Sequence, residues 1–318
     1  MSGYSNILES AHNKSILVVG DLMIDVYNSC YTEHSRPSPE RSDKLVYNAH
    51  RSEQMLGGAG NVAANLASLG VQTSLLSVCG TDGNAVEARR LCDAAGVTHY
   101  LIEDASRQTT VKTRLYIDDQ YILRIDGEDQ HKISLDVSAA AIDEFNGILD
   151  HVDAVILSDY NKGFFVEENA QSMIAECRKR MIPVVVDLKP PNASIFADAT
   201  VVAPNLKEAR EICNDFDPYQ KEASLHMMHD VLRAENVVVT IGRDGMLIYD
   251  GVNATHVPGL SVTKVDSCGC GDTVRACMTF GLISDLSLHD AAVFANVAAS
   301  MVVQRLGTAT LTREDFIE

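Results

Sequence analysis

The chain has 318 residues, of which 46% are hydrophobic, and this is enough for one large α/β domain with a sizeable core. The formal net charge of -18, without a local basic patch, argues against a nucleic-acid partner because an anionic field opposes phosphate-backbone contacts. No apolar run approaches the ~20 residues of a membrane-spanning helix and no signal-peptide pattern opens the chain, so we expect a soluble, cytoplasmic protein without a membrane partner.

Short β-branched runs alternate with helical patterns along the chain. This alternation predicts an α/β fold in which helices wrap a mostly parallel sheet. The predicted strands are 15–21, 73–80, 154–159, 183–188, 200–205 and 237–242. The predicted helices are 58–69, 83–95, 137–150, 166–180, 206–214, 221–234, 271–283 and 287–304. No internal repeat interrupts the pattern.

Several predicted strands end in a polar residue or in glycine. In an open α/β sheet the ligand crevice lies beyond the carboxyl ends of the strands, so these residues should converge on one rim. They are Asp21, Asp159, Asp187, Asn205 and Gly242.

Two segments, 26–56 and 109–126, break the alternation and are typical of hairpin strands with polar faces. We expect them to form a small sheet that covers the crevice as a lid. An edge extension with no role in binding is the alternative. A small sheet with exposed edges often pairs with a second subunit, so a homodimer through the lid is also expected.

The segment Val265–Phe280 contains the strongest chemical pattern. Gly269 and Gly271 flank Cys270 and lead into Asp272 at the start of an apolar helix, so successive backbone N–H groups can point at one anion. A carboxylate beside a phosphate makes sense if Asp272 deprotonates an attacking hydroxyl. The alternative is an ordinary loop in which Asp272 caps a buried helix.

A second glycine-rich stretch, 55–70, precedes an Ala-rich helix and suits close contact with a polyhydroxylated ligand. On its own it equally fits tight packing. Its spacing does not match a dinucleotide-binding motif, and the chain has no P-loop. The phosphate site must therefore be of another design.

Together, GGAGNVAANLASLG near the N-terminus and VDSCGCGDT near the C-terminus resemble the two signatures of the ribokinase-like (PfkB) carbohydrate kinases. The resemblance covers nearly the whole chain and implies a three-layer sandwich with a central, mostly parallel sheet and a small β-sheet lid. Within the family the chain is most similar to bacterial kinases that phosphorylate D-glycero-β-D-manno-heptose 7-phosphate. Many of these are fused to a nucleotidyltransferase domain. Residues 1–318 would form the kinase domain alone.

The resemblance implies an ATP- and Mg²⁺-dependent transfer to the anomeric hydroxyl, and it leaves room for a monovalent cation. Asp272 would be the catalytic base, and the amides of Gly269, Cys270 and Gly271 would form the anion hole. Asn205 and Glu208 match a motif that influences Mg²⁺, often through water; alternatively Glu208 only occupies the first turn of a helix. The remaining nucleotide-side positions are Lys189, Thr240, Gly242, Gly245 and Asn296.

The sugar side is implied in the same way. Its hydroxyls would be met by Asp21, Asp25, Gly57, Gly58, Asn61 and Asp159. A substrate that carries a distal phosphate also needs cations. The candidates, most of them in the lid, are Arg36, Lys112, Arg114, Arg124 and Lys162. An exposed Arg or Lys on a small sheet is, alternatively, a solubilising residue.

The cysteines of the chain are ordinary except for the two in the loop before Asp272. The eight cysteines form no Cys-x-x-Cys pair, which favours reduced thiols, and two thiols without nearby partners make a poor zinc site. Cys268 and Cys270 replace the Thr and Ala usual in the family's TGAGD loop, so we expect activity that persists but is thiol-labile. The alternatives are a kinase for another sugar, sugar phosphate or nucleoside, and a catalytically idle sugar- or nucleotide-binding protein.

Overall fold

The computed structural model describes residues 4–305 and 307–316, and its centre is a nine-stranded mixed sheet. The strands are β1 Ser15–Gly20, β2 Leu22–Cys30, β3 Arg36–Pro37, β4 Leu45–Val46, β5 Ala49–Gly58, β6 Gln72–Cys79, β7 Thr98–Glu103, β8 Val111–Ile117, β9 Gln120–Gly127, β10 Ala154–Ser158, β11 Val184–Asp187, β12 Val201–Val202, β13 Asn236–Thr240, β14 Gly245–Tyr249 and β15 Ala254–Pro258. The helices are α1 Ser5–Glu9, α2 Ala59–Ser68, α3 Gly83–Ala94, α4 Leu135–Ile148, α5 Glu167–Lys179, α6 Leu206–Ile212, α7 Lys221–Leu232, α8 Cys270–Ile283 and α9 Leu288–Val302.

The large sheet has the order β15-β14-β13-β12-β11-β10-β1-β6-β7. The strands from β13 to β7 pair in parallel, whereas β14 and β15 add an antiparallel hairpin at one edge. The α/β fold with a mostly parallel sheet is therefore confirmed. Every strand predicted for the large sheet lies in its contiguous centre, from β13 to β6.

Alternate residues of β1 show how the helices cover both faces of this sheet. Ile16 and Val18 point into a core shared with α2, α8 and α9, whereas Leu17 and Val19 point into a second core shared with α4, α5 and α7. All four side chains are fully buried. Each contributes roughly 1.5–3 kcal/mol through removal of apolar surface from water. This two-sided burial produces the three-layer arrangement.

A four-stranded sheet of order β5-β2-β8-β9 stands beside the large one. Strand β2 follows β1 after a single residue, Asp21, so the small sheet begins at the crevice rim. The segments 26–56 and 109–126 do form strands, as the sequence predicts. The first is more irregular than expected, because the short β3–β4 pair lies between β2 and β5.

The strands that the sequence patterns did not predict lie at the two edges of the large sheet. Strand β7 is only partly buried, and β15 has a mixed burial pattern. Such strands lack the continuous β-branched runs of a strand buried on both faces. None of the helices in residues 4–305 and 307–316 is both long enough and apolar enough to span a lipid bilayer.

Candidate active site

Asp272 lies in the first turn of α8, almost fully buried, and two side chains donate hydrogen bonds to its carboxylate. Asn61 Nδ2, from α2, lies 2.7 Å from Oδ2. The hydroxyl of Tyr160, from the loop after β10, lies 2.5 Å from Oδ1. Asn61 is fixed in turn by Asn65, whose Nδ2 donates to the Asn61 side-chain oxygen. The carboxylate is thus held in one orientation by two distant segments of the chain.

Gly269 makes this contact between α2 and α8 sterically possible. It precedes α8 with φ of 76°, a left-handed conformation that favours glycine. A Cβ at this position would also lie 2.9 Å from Asn61 Nδ2. Any larger residue would therefore push apart the loop and the amide that holds Asp272.

Burial raises the pKa of Asp272 to about 6, although the hydrogen bonds from Tyr160 and Asn61 act to lower it. A carboxylate with this pKa is mostly ionised at neutral pH and accepts a proton more readily than an ordinary aspartate. Each carboxylate oxygen has a second acceptor site, so a substrate hydroxyl can bind beside the existing donors. These are the properties of a general base.

The loop before α8 offers backbone donors next to this base. Within the described residues, the N–H groups of Gly269 and Gly271 have no hydrogen-bond acceptor, and the N–H of Cys270 makes only a long contact of 3.4 Å with the Ser267 carbonyl oxygen. Unpaired N–H groups at a helix start favour a bound anion. The Asp272 carboxylate and these N–H groups therefore lie at one helix terminus.

Asp21 contacts the loop that follows β10. Its carboxylate accepts hydrogen bonds from the backbone N–H groups of Tyr160, Lys162 and Phe164, at 2.8, 3.1 and 3.3 Å. Burial raises its pKa despite these donors. Asp21 therefore orders the loop that presents the Tyr160 hydroxyl. Its Oδ1 accepts only the 3.3 Å bond, so the contact with a sugar hydroxyl stays a prediction.

Asp159 corrects the sequence prediction. Its fully buried carboxylate accepts from the backbone N–H groups of Asn161 and Lys189, and from the side-chain amide of Asn192. Burial, followed by the nearby charge of Asp21, raises its pKa to about 6. Asp159 therefore joins the loops after β10 and β11 instead of reaching a ligand.

Lys189 and Glu208 form an ion pair at the end of β11, with 2.5 Å between Nζ and Oε1. Burial acts to lower the pKa of Lys189, but the carboxylates of Asp187 and Glu208 outweigh it and the pKa is raised. Glu208 also completes a capping box with Asn205, accepting from its backbone N–H at 2.9 Å. The geometry of Glu208 is thus compatible with a role near Mg²⁺ and also with a purely structural role in the first turn of α6.

The side-chain oxygens of Asn205 and Glu208 suit Mg²⁺ binding through water. Both Glu208 oxygens already accept hydrogen bonds, and the Asn205 side-chain oxygen caps α6. In residues 4–305 and 307–316 no group of three or more His, Cys, Asp or Glu side chains is arranged to hold a metal. Mg²⁺ often keeps several of its waters, and such a shell could bind these oxygens without displacing their partners.

A cavity of about 540 Å³ opens from the anion loop toward the antiparallel edge of the large sheet. A smaller cavity of about 240 Å³, mostly apolar, adjoins it along α9. The larger one brings together the predicted nucleotide-side positions apart from Lys189 and Glu208. Its lining includes Asn205, Thr240, Gly242, Gly245, Cys270, Gly271 and Asn296.

The four-stranded sheet, named the lid sheet after its predicted role, meets the loop before α8 (the anion loop) through β2 and β8. Arg114 Nη1 donates to Asp25 Oδ1 at 2.5 Å, and its Nη2 lies 3.8 Å from Cys268 Sγ. The hydroxyl of Tyr27 lies 3.6 Å from the same sulfur. Gly57 packs against Asp25, since a Cβ there would approach its Oδ2 to 2.6 Å. Asp25, Gly57 and the adjoining Gly58 thus lie on the side of the lid that faces the site.

The predicted lid cations are mostly paired with carboxylates. Lys112 Nζ contacts Asp126 and Glu128, and Glu128 also accepts from Lys162. Arg124 pairs with Asp126 on the outer strand β9. Arg36 lies exposed on β3, and within the described residues its side chain makes no hydrogen bond or ion pair. The structure therefore brings Lys112, Lys162 and Arg124 into one network with Asp126 and Glu128, in which every cation is paired, and Arg36 is not part of that network.

Sequence comparison decides the family. The profile described as pfkB family carbohydrate kinase matches residues 13–315. The chain belongs to this family. It is 36% identical over 305 residues to the bifunctional protein HldE of Methylobacillus flagellatus, covering 94% of this chain and 62% of that protein. It is 35% identical over 318 residues to the bifunctional protein HldE of Trichlorobacter lovleyi, covering 98% and 64%.

Solved structures confirm the ribokinase-like fold of this pfkB family member. Phosphofructokinase-2 from Escherichia coli, in complex with potassium, superimposes with a TM-score of 0.77 at 20% identity and covers 95% of this chain and 96% of its own. Ribokinase from Thermotoga maritima gives a TM-score of 0.68 at 20% identity, with 95% and 97% covered. The chain spans about 62–64% of the length of the curated relatives described above.

The two cysteines that distinguish this pfkB loop are not activated thiols. Burial raises the pKa of Cys268, and it raises the pKa of Cys270 to about 11. Since the thiolate is the reactive form, little of either thiol reacts at neutral pH. This argues against the expected thiol-lability. All eight cysteines are free, as the sequence indicates.

Sequence reasoning missed Tyr160 and the buried ion pair between Arg275 and Asp187. Tyr160 follows a predicted strand end, and that position was the available signal for it. Arg275 interrupts an otherwise apolar helix, which indicates a buried charge that needs a partner. Neither contact could be assigned from sequence spacing, because each joins segments far apart in the chain.

Proposed function

We propose that this chain is an ATP-dependent sugar kinase that phosphorylates the anomeric hydroxyl of D-glycero-β-D-manno-heptose 7-phosphate to give the 1,7-bisphosphate. The observation that carries the kinase proposal is the buried Asp272, oriented by Asn61 and Tyr160 beside backbone N–H groups that have no acceptor in the described part of the chain. The choice of acceptor rests on the family resemblance and on the HldE relatives.

The proposed reaction uses this geometry. Asp272 accepts the proton of the anomeric hydroxyl while its oxygen attacks the γ-phosphorus of ATP. The bond from that phosphorus to the bridging oxygen breaks, and ADP leaves with the electron pair. The N–H groups of Gly269, Cys270 and Gly271 donate to the phosphoryl oxygens as the group moves in line between the two oxygens. The proton held on Asp272 then passes to solvent.

Mg²⁺, bound through water near Asn205 and Glu208, would supply neutralisation of the phosphate charge. The nucleoside would occupy the two adjoining cavities, with Asn296 and Gly242 in the lining of both. The lid sheet would cover the sugar, with Asp25 and Gly57 closest to it. The structurally similar phosphofructokinase-2 forms a complex with potassium, so we include a monovalent cation among the additions to be tested.

A second candidate is kinase action on a sugar or nucleoside without a distal phosphate. The pairing of Lys112, Lys162 and Arg114 with acidic side chains favours it, because paired cations bind a phosphate only after their partners are displaced. An idle binding protein is less well supported. It would have no use for the buried, oriented carboxylate of Asp272.

The test is ATP-to-ADP turnover with the heptose 7-phosphate, the dephosphorylated heptose, ribose, fructose 6-phosphate and adenosine, with Mg²⁺ and with or without K⁺. Wild type should act on the heptose 7-phosphate. Asp272→Asn should lower turnover by about 10²- to 10⁴-fold, the usual contribution of a general base. Asp244→Asn, an exposed aspartate, is the matched control.

Three other outcomes of the turnover assay would change the proposal. Turnover on another acceptor alone would keep the kinase and replace the proposed substrate. Equal turnover on the heptose with and without its phosphate would favour the second candidate. Nucleotide binding without turnover on any acceptor would contradict the proposal.

A further inference from the structure

Arg275 is a cation inside an otherwise apolar stretch of α8. It is only 4% exposed, and its Nη2 donates to Asp187 Oδ1 at 2.7 Å and to the Ala203 carbonyl oxygen at 2.9 Å. Its Nε is buried and has no hydrogen-bond partner among the described residues. A buried donor without a partner is uncommon and costly, so it calls for an explanation.

The guanidinium lies directly against the anion loop. A Cβ at Gly271 would come within 2.2 Å of Arg275 Nη1, so glycine at this position is what lets the cation reach the loop. Arg275 also lines the cavity of about 540 Å³ together with Asn205, Thr240 and Gly271. Its charge therefore stands at the same cavity as the helix terminus proposed to bind phosphate.

The charge balance of the site needs such a cation. The carboxylates of Asp187, Glu208 and Asp272 all lie within electrostatic reach of Arg275. Three carboxylates beside a triphosphate would repel it, and Lys189 is already paired with Glu208. A planar guanidinium with five N–H donors can hold Asp187 on one edge and still donate to a phosphate oxygen.

We propose that Arg275 is a phosphate-binding residue that forms the floor of the anion site and donates to the phosphoryl group being transferred. This inference rests on the proposed function for the identity of the anion. The competing explanation is purely structural: the Arg275–Asp187 pair ties α8 to the ends of β11 and β12. A buried ion pair is weak evidence for stability by itself, so the two explanations need an experiment.

The experiment measures binding of adenosine and of AMP-PNP, a non-transferable ATP analogue, by calorimetry in the presence of Mg²⁺ and without sugar. The variants are Arg275→Met, Arg275→Lys and the double variant Asp187→Asn/Arg275→Met. The double variant removes the buried charge that the single variant leaves unpaired. Arg107→Met is the matched control, because Arg107 is also buried and paired, with Asp104.

We expect Arg275→Met and the double variant to lower the affinity for AMP-PNP by about 10- to 100-fold, the loss of a charge-assisted hydrogen bond. Adenosine affinity should stay within about twofold, since neutral adenosine has no phosphate to contact. Arg275→Lys should lose less than Arg275→Met. Arg107→Met should leave the ratio of the two affinities at its wild-type value.

Three results would overturn the inference. They are an unchanged AMP-PNP affinity in Arg275→Met, a parallel loss of affinity for adenosine and AMP-PNP, and recovery of AMP-PNP affinity in the double variant. If Arg275→Met alone does not fold, the double variant decides. Failure of the proposed function is separately visible, because a wild type that turns over no sugar can still show the Arg275-dependent preference for AMP-PNP.

Discussion

Opposing effects act on the Asp272 carboxylate. Removal from water favours the neutral acid, whereas donation from Asn61 and Tyr160 favours the ion, and burial dominates so that the pKa is about 6. At neutral pH the folded protein therefore carries an ionised group that burial disfavours. Functional sites commonly have such pKa shifts, and they make stability depend on pH.

Asp272→Asn should stabilise the fold more at neutral than at acidic pH. The pKa of Asp272 rises from 3.8 to about 6 on folding, so its favourable contribution is present below about pH 4 and is lost as the pH rises through 6. Asparagine does not titrate. Calorimetry should show the Tm difference, variant minus wild type, growing by about 2–4 °C between pH 4 and pH 7.5. A pH-independent difference would contradict this, and exposed Asp244→Asn supplies the baseline.

Tyr160→Phe should move the acidic limb of kcat/KM to higher pH. The tyrosine hydroxyl donates to Asp272 Oδ1 and so lowers the pKa of the base; without it that pKa rises above about 6. The shift should be about one pH unit, the scale of one hydrogen bond to a charged group. Phenylalanine retains the ring that lies 5.0 Å from Lys189 Nζ.

The control for this profile is Tyr100→Phe, on the edge strand β7, which should keep the wild-type limb. A Tyr160→Phe enzyme with reduced kcat but an unshifted limb would show that the hydroxyl has a different role. The profile of kcat/KM is the appropriate one, because it reports groups of the free enzyme.

Elements rather than single residues explain how the distant parts of this site meet. The loop after β10 carries Tyr160. Asp21 lies between β1 and β2, and its carboxylate accepts hydrogen bonds from three backbone N–H groups of that loop. The same residue therefore joins the large sheet, the lid strand β2 and the loop that contacts the base. We therefore expect a displacement of the large sheet, of strand β2 or of this loop to shift the other two.

Asp21→Asn should loosen this loop without unfolding the protein. An asparagine has one acceptor oxygen, and its amide group would face backbone donors. We expect kcat/KM to fall about tenfold, with faster hydrogen exchange at the N–H groups of Tyr160, Lys162 and Phe164. Asp153→Asn is the matched control, since Asp153 accepts from the Ser15 N–H at the opposite end of β1. Unchanged exchange in Asp21→Asn would contradict this coupling.

The sequence predicted the centre of the sheet better than its edges. Strands β1 and β10 to β13 carry β-branched runs buried on both faces, whereas β7 and β15 lie at the sheet edges. Strand β14 is fully buried beside β15, but its sequence, GMLIY, has only one β-branched residue. An edge strand has fewer neighbours to impose such a pattern. The periodicity of apolar residues therefore predicted the order of the central strands and helices along the chain. It did not predict how many strands the sheet has.

The sequence supports a site prediction where the chemistry lies within one loop. The glycine pattern around Asp272 indicates an anion site without knowledge of the fold. The hydroxyl of Tyr160 and the carboxylate of Asp187 come from positions 112 and 88 residues away from their partners on α8, and only the folded sheet brings them there. For the same reason the sequence could not show that Asp21 and Asp159 are used within the protein.

At the scale of the whole molecule, the apolar surface of the lid is the feature that remains unexplained. The net charge of -18 keeps most of the surface polar and repulsive toward other anions. On the edge strand β9, however, Leu123 and Ile125 alternate on one face and are 41% and 64% exposed. An open strand edge with apolar side chains favours pairing with another chain. A second copy of the lid supplies the same surface in a two-fold arrangement.

We therefore expect a homodimer formed through the lid sheets. Leu123→Glu/Ile125→Glu places two charges on each side of that contact and should give a monomer in sedimentation velocity at micromolar concentration, with the fold retained by circular dichroism. Val252→Glu is the matched control, because Val252 is 80% exposed in the β14–β15 turn, outside the lid, and should leave the dimer intact. A monomeric wild type would contradict the expectation. A dimer that survives the double substitution would place its interface elsewhere, and the exposed face of β9 would then need another explanation.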